Sequence, residues 1–173
     1  MTEERPNGVT LGGTPHTVRG PILAVGENAP DAELVATDWS RIKLSDYEGK
    51  VRLLSVVPSL DTGVCNAQTQ RFNEEAAAFN EDVVVLTISA DLPPAQGRWV
   101  NTNGAERVKV VSCHYDMAFA DSYGVHDTDY RWCQRAVFVI DQDGTLQHAE
   151  YVPEIGDEVN FDAAVAKVKE LAG

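Results

Sequence analysis

The residues best placed to do chemistry lie in Pro58-Ser59-Leu60-Asp61-Thr62-Gly63-Val64-Cys65, where an apolar run ends in proline and a cysteine falls just inside an expected helix. A helix start offers unpaired backbone N–H groups and the positive end of the macrodipole, and both favour an anion. A thiol held there is biased toward thiolate, the form that acts as a nucleophile. Cysteine chemistry is therefore the first expectation, although a lone cysteine is more often a small buried hydrophobe. Thr62, one turn back, carries a hydroxyl that can cap its own backbone or serve a neighbouring group.

Few other residues compete. Cys113 and Cys133 bring the cysteine count to 3, an odd number with wide spacing, so no structural disulfide framework is expected in a reducing compartment. No C-x-x-C occurs, which argues against a zinc ribbon and against thioredoxin-type disulfide exchange. His16, His114, His126 and His148 are scattered, none at helical ligand spacing from a cysteine or carboxylate, and no metal site is expected. Asp127 and Asp129 read as a solvated loop. Trp99, Trp132, Phe72 and Phe119 read as core or pocket wall. Arg135, taken alone, reads as a charge at a strand edge.

Composition narrows the partners. The formal net charge of −13, from 27 acidic against 14 basic side chains, repels phosphate backbones and anionic lipid. Nucleic-acid and membrane-surface partners are disfavoured. No stretch approaches the roughly 20 apolar residues that span a bilayer. The polar, acidic start has no apolar h-region behind it, so no secretory signal is expected and a cytoplasmic location is the default.

The elements that must position Cys65 are legible as apolar periodicity. At 173 residues and 43% apolar content, the chain suits one domain over 1–173. The first eight residues are expected to be loose, and residues 9–18 to form a hairpin around Gly12-Gly13-Thr14-Pro15. A strand over 32–37 and a turn over 44–50 follow. The run over 51–57 is expected to be a central strand covered on both faces. After it, Cys65, Thr69, Phe72, Ala76 and Phe79 recur at intervals of four and three, the buried stripe of a helix with Gln68, Gln70, Glu74 and Glu75 off it. A second buried strand spans 83–90. Asp91 is the candidate N-cap of a short helix through about Thr102, stopped by Gly104.

A strand over 108–112, a helix over 117–123 ended by Gly124, a hairpin around Gln142-Asp143-Gly144 and a final helix from about Phe161 complete the order. Strands separated by helices, then a hairpin and a helix, give the α/β class. The architecture expected is a three-layer α/β/α sandwich on a mixed sheet, the thioredoxin-like arrangement with an N-terminal β-hairpin.

The pattern Pro58-x-x-x-Thr62-x-x-Cys65 resembles the active-site signature of the peroxiredoxins. The whole Pro58–Cys65 segment is similar to the version in bacterial thiol peroxidases, an atypical two-cysteine subgroup. The resemblance covers nearly the whole chain, including the N-terminal hairpin, Ser89-Ala90-Asp91-Leu92-Pro93, Tyr123-Gly124-Val125 and Arg135-Ala136-Val137-Phe138-Val139-Ile140-Asp141. It implies that Cys65 is the peroxidatic nucleophile, attacking one peroxide oxygen and becoming sulfenic acid. It also implies that the Thr62 hydroxyl contacts thiolate and peroxide and that Pro58 shapes and dries the substrate pocket. Arg135 would reach Cys65 across the sheet, favouring thiolate and stabilising charge on the leaving oxygen. The implied substrates are hydrogen peroxide and alkyl or lipid hydroperoxides, and the implied electron donor is thioredoxin or another thiol. A homodimer built near the active-site loops is implied, and no metal, haem or flavin cofactor.

One position departs from the family pattern. The subgroup carries a resolving cysteine in the short helix after Asp91-Leu92-Pro93, and the matching position here is Val100, which has no sulfur. Three routes remain, in this order: an external thiol reduces the sulfenic acid directly, Cys133 resolves it, or Cys113 resolves it. Cys133 and Arg135 differ by two, so an extended backbone would aim both to one side. Cys113 follows a strand expected two places away, roughly 10 Å at about 4.8 Å per step. A disulfide needs Cα atoms within about 7 Å, so either bridge would require local unfolding. Inert burial is an equally good reading of both. Two rival functions stand beside the peroxidase: a peroxide sensor or redox relay that passes oxidation to a partner, and a thioredoxin-like interaction module with an unreactive Cys65.

Overall fold

The computed structural model describes residues 2–173. Strands β1 (Glu4–Leu11) and β2 (Thr14–Arg19) form the expected hairpin, turning at Gly12 and Gly13 with positive φ. The hairpin begins earlier than expected: Glu4 pairs with Arg19 and Arg5 with Val18. The Arg5 guanidinium fastens this end, donating to the carbonyls of Gly20 and Gly124.

Next come β3 (Glu33–Ala36), β4 (Arg41–Lys43) and a 3-10 turn over Leu44–Tyr47, then β5 (Val51–Val56), α1 (Gly63–Glu75) and β6 (Val83–Ser89). They are followed by α2 (Pro93–Asn103), β7 (Lys109–Ser112), α3 (Ala118–Ser122), β8 (His126–Asp127) and β9 (Trp132–Cys133). The chain finishes with β10 (Ala136–Ile140), β11 (Leu146–Tyr151) and α4 (Phe161–Ala172).

The main sheet has the order β11-β10-β5-β6-β7-β3-β4, with β5, β6 and β7 parallel and the outer strands antiparallel. It is the mixed sheet expected. Side-chain alternation decides what each face holds. On β5, Val51 and Leu53 join the core under α1 and α4, whereas Leu54 and Val56 join the core with Phe119 and Ala120 of α3. On β10, Val137 and Val139 take the α1 side, and Ala136, Phe138 and Ile140 the α3 side. Burial on both faces is why these strands read as unbroken apolar runs.

A second sheet, β1-β2-β8-β9, extends the hairpin by two short strands. The sequence expectation was a solvated loop here. Asp127 instead is fully buried, because its carboxylate is matched to two donors: buried His16 Nδ1 at 2.6 Å and half-buried Trp132 Nε1 at 2.8 Å. Strands of two residues are too short to show a period of two.

Two local departures matter for Cys65. Helix α1 ends at Glu75 and tightens to 3-10 over Ala76–Ala78, so Phe79 lies beyond it. Its buried residues are Cys65, Gln68, Thr69 and Phe72, which places Gln68 on the inner face rather than off the stripe. In α2, Leu92 is the N-cap and not Asp91, with Pro93 and Pro94 filling the first positions, where no N–H is needed. The Asp91 carboxylate is thereby free to accept from Ser59 Oγ at 2.8 Å, Leu60 N at 2.9 Å and Ser89 Oγ at 2.7 Å. It ties the loop before α1 to the end of β6. Among the described residues, no helix is long and apolar enough to cross a membrane.

Candidate active site

Strand β5 runs out at Val56, and Val57 and Pro58 carry the chain over the sheet edge into α1. Thr62 is the N-cap, with extended backbone (φ −92°, ψ 149°), and Cys65 is the third residue of the helix. The Cys65 side chain turns inward into the α1-side core and is fully buried. From the opposite strand, Arg135 sits just before β10, whose Ala136 pairs with Val56. It keeps the side-chain parity of Val137 and Val139 and so points to the same face.

The Arg135 guanidinium, only 1% exposed, spends its donors in three directions. Nη2 donates to Cys65 Sγ at 3.3 Å, Nη1 to Gln68 Oε1 at 2.9 Å, and Nε to the Ile155 carbonyl at 3.0 Å. Gln68 in turn donates to Ser55 Oγ at 2.8 Å, so β5 itself braces the fork. A buried cation with rigid planar geometry is thus held against a sulfur at the positive end of a helix. Both place positive potential at that sulfur. The Thr69 hydroxyl donates to the Cys65 carbonyl at 2.9 Å.

A cavity of about 230 Å³ opens beside Arg135, lined by Pro58, Thr62, Val64, Trp132, Arg135 and Ile155 among others, while Cys65 itself is fully buried and is not part of its wall. Its walls are apolar apart from Arg135 and Thr62. The Thr62 hydroxyl is exposed and donates to the Ser59 carbonyl at 3.0 Å, which leaves its oxygen lone pairs to accept from a molecule in the cavity.

Comparison with known proteins decides the family. The model of the AhpC/TSA family matches residues 25–149, more than half of the chain. The chain belongs to the AhpC/TSA family. A Bacillus subtilis protein named thiol peroxidase is 45% identical over 163 residues, covering 94% of this chain and 97% of that protein. One from Halalkalibacterium halodurans is 46% identical over 161 residues, 93% of this chain and 96% of the relative. A peroxiredoxin-like protein from Aquifex aeolicus superposes with a TM-score of 0.87 at 39% identity, covering 95% of this chain and 97% of that one. The expected resemblance to bacterial thiol peroxidases, the α/β fold class and the expectation of a peroxiredoxin-type enzyme acting on peroxides are all met.

Within this AhpC/TSA chain, the structure brings Cys65, Arg135, Thr62 and Pro58 to one place. Cys113 and Cys133 are elsewhere. Their sulfurs face each other at 3.5 Å within the core on the α3 side of the sheet. Cys133 does not share the direction of Arg135, as extended spacing would require. The Gln134 N–H donates to the Val125 carbonyl at 2.7 Å, continuing the β8–β9 ladder, and the alternation breaks over Gln134 and Arg135, where the chain passes from β9 to β10. The hydrogen bond with Cys113, and then burial, hold the Cys133 thiol well above its ordinary pKa. Val100 is half-buried in α2 against the α1-side core, next to Trp99, whose Nε1 donates to Asn66 Oδ1 at 3.0 Å.

Sequence reasoning missed Gln68, Ser55, Ile155 and Leu11, the last also lining the cavity. For Gln68 a signal existed, since it lies three residues after Cys65 on the same helical face. One grouping among the described residues has the makeup of a metal site: His16, Asp127 and Asp129. Its acceptors are already committed. Asp127 Oδ1 takes the N–H of Asp129 at 3.0 Å, Oδ2 takes His16 and Trp132, and Asp129 Oδ2 takes the N–H of Thr17 at 2.7 Å. The grouping ties β2 to the β8–β9 turn.

Proposed function

We propose that this chain is a thiol-dependent peroxidase in which Cys65 is the nucleophile. The observation that carries the reading is the 3.3 Å contact of the buried Arg135 guanidinium with Cys65 Sγ, the same arginine also lining an apolar cavity. The Cys65 thiolate attacks one oxygen of a hydroperoxide. The O–O bond breaks, the sulfur gains that oxygen as a sulfenic acid, and the other oxygen leaves as alkoxide and takes up a proton to become alcohol or water. Charge moves from sulfur to the departing oxygen, and a cation fixed beside both stabilises the transition state more than the ground state. The Thr62 hydroxyl orients the peroxide, and Pro58 keeps water from the reacting pair.

The second half uses an external thiol, thioredoxin or a smaller donor. It condenses with the sulfenic acid, losing water, and a second thiol releases Cys65 with formation of the donor's disulfide. Val100 has no sulfur, and the sulfurs of Cys113 and Cys133 lie across the sheet from Cys65. The same separation favours a second reading, a peroxide sensor or relay, because a sulfenic acid with no internal partner persists until another protein meets it. A cytoplasmic location and a homodimer belong to the family-based reading.

The test is peroxide turnover with thioredoxin or a small thiol as donor, using single Cys65→Ser, Cys113→Ser and Cys133→Ser variants. Loss at Cys65 alone, with steady turnover in the other two, is the expected result. Loss at Cys133 or Cys113 would refute the external-thiol route, and one burst without turnover in the unmodified chain would favour the sensor.

A further inference from the structure

We propose that Cys113 and Cys133 form an intramolecular disulfide, a second redox site in this chain that is separate from Cys65. The two sulfurs already face each other at 3.5 Å, so closing to the roughly 2.05 Å of a disulfide needs a shift of about 1.5 Å, within the reach of side-chain torsions. The backbone on both sides is held for it. The Cys113 N–H donates to the Ser89 carbonyl at 3.0 Å, and its own carbonyl accepts from Met117 N at 3.0 Å. Cys133 is fixed in β9, where it pairs with His126. Between the two segments, Arg131 Nη2 donates to the His114 carbonyl at 2.7 Å, linking the residue after Cys113 to one two places before Cys133.

The chemistry balances with the hydroperoxide that serves as substrate for Cys65, and in that choice of oxidant the inference rests on the proposed function. Both thiols are buried, Cys113 at 3% and Cys133 at 0% exposure, so oxidation begins at Cys113 when local opening admits the peroxide. Its sulfur takes one oxygen of the hydroperoxide and the remainder leaves as alcohol or water. The Cys133 thiol then attacks the Cys113 sulfenic acid, the S–S bond forms, and water departs. In sum, two thiols and one hydroperoxide give one disulfide, one alcohol and one water. An external dithiol reverses it by exchange. The protonated, buried state of Cys133 makes this slower than oxidation at Cys65, so the pair responds to sustained peroxide and not to each turnover.

The consequence is a staple between the two sheets. Cys113 follows β7 of the main sheet and Cys133 ends β9 of the small one, and the bond would also pin the backbone two residues before Arg135. Closing a loop of this size raises thermal stability by roughly 5–10 °C for a chain of this length.

The experiment uses the full chain with Cys65→Ser, which removes the peroxidase site, so that failure of the peroxidase reading and failure of this one are told apart. The reduced protein is exposed to excess hydrogen peroxide, unfolded in an alkylating agent, cut with trypsin and read by non-reducing mass spectrometry. Cleavage after Lys109, Arg131 and Arg135 puts Cys113 in peptide 110–131 and Cys133 in peptide 132–135. The expected result is these two peptides joined with loss of two hydrogens, together with a higher melting temperature that dithiothreitol reverses. Adding Cys113→Ala should abolish the melting shift. If that double variant does not fold, the peptide linkage in its parent still decides. Recovery of both cysteines as alkylated thiols, or of Cys113 as sulfinic acid, overturns the proposal. So does a link from either cysteine to peptide 53–71 in the Cys65-containing chain.

Discussion

Arg135 is asked to be a fork, and that sets what can replace it. Lysine keeps the charge but offers a single ammonium, so it cannot reach Cys65, Gln68 and the Ile155 carbonyl together. Arg135→Lys should therefore lower the rate of peroxide reduction by about 100-fold and cost roughly 1–3 kcal/mol of stability from buried acceptors left without donors. Gln68→Ala keeps the cation but loosens it, and a smaller fall of about 10-fold is expected. Stopped-flow oxidation of the reduced protein together with urea unfolding checks both; equal rates for Arg135→Lys and the parent would refute the role of the fork. Cys65, Thr62 and Pro58 were legible because their spacing is local. Gln68 was hidden by drawing the helical stripe through Ala76 and Phe79, where the helix has already tightened or ended. The direction of Cys133 was hidden by the passage from β9 to β10 over Gln134 and Arg135, which no pattern in the sequence announces.

At the level of elements, the segment after β11 links the hairpin to the active site. Thr10 N donates to the Pro153 carbonyl and Ile155 N to the Thr10 carbonyl, each at 2.8 Å. The Glu154 carboxylate accepts from Thr10 Oγ1 at 2.5 Å, Gly12 N at 2.8 Å and Gly13 N at 3.2 Å, and these bonds lower its pKa to about 2. A carboxyl depressed in the folded state stabilises above its ordinary value of 4.5, and that stability is lost as pH falls toward about 2. Between those values the Gly12-Gly13 turn should loosen first. The protection factors of the Gly12 and Gly13 amides, exchange rates corrected for the intrinsic rate at each pH, should fall across this window in the parent and already be low at pH 6 in Glu154→Gln. A parent turn that stays protected down to pH 2 would contradict the assignment. The hairpin itself was legible from its glycines. Its docking was not, because pairing between residue 10 and residue 154 leaves no mark in either local sequence.

Across the whole molecule, the segment leaving β2 and the segment entering β8 cross at Gly20 and Gly124. Both have positive φ, 107° and 67°, and a Cβ on either would strike backbone, the Asp121 carbonyl for Gly20 and the Pro21 carbonyl for Gly124. Gly124→Ala should cost at least about 2 kcal/mol, seen as a lower urea midpoint at unchanged slope. A midpoint within error of the parent would show that the crossing yields. The order and class of the main elements were legible because β5, β6 and β10 are buried on two faces. The second sheet was not, since β8 and β9 owe their pairing to the buried Asp127 and not to apolar rhythm.

The Ile155 carbonyl that receives Arg135 Nε also has a place in time. A ribosome delivers Cys65 first, Arg135 much later, and residues 153–155 later still. Until that last segment emerges and docks on Thr10, the guanidinium lacks its third anchor and Cys65 lacks a fixed counter-charge. The growing polypeptide thus carries Cys65 through synthesis without its fixed counter-charge, which arrives only once residues 153–155 have docked.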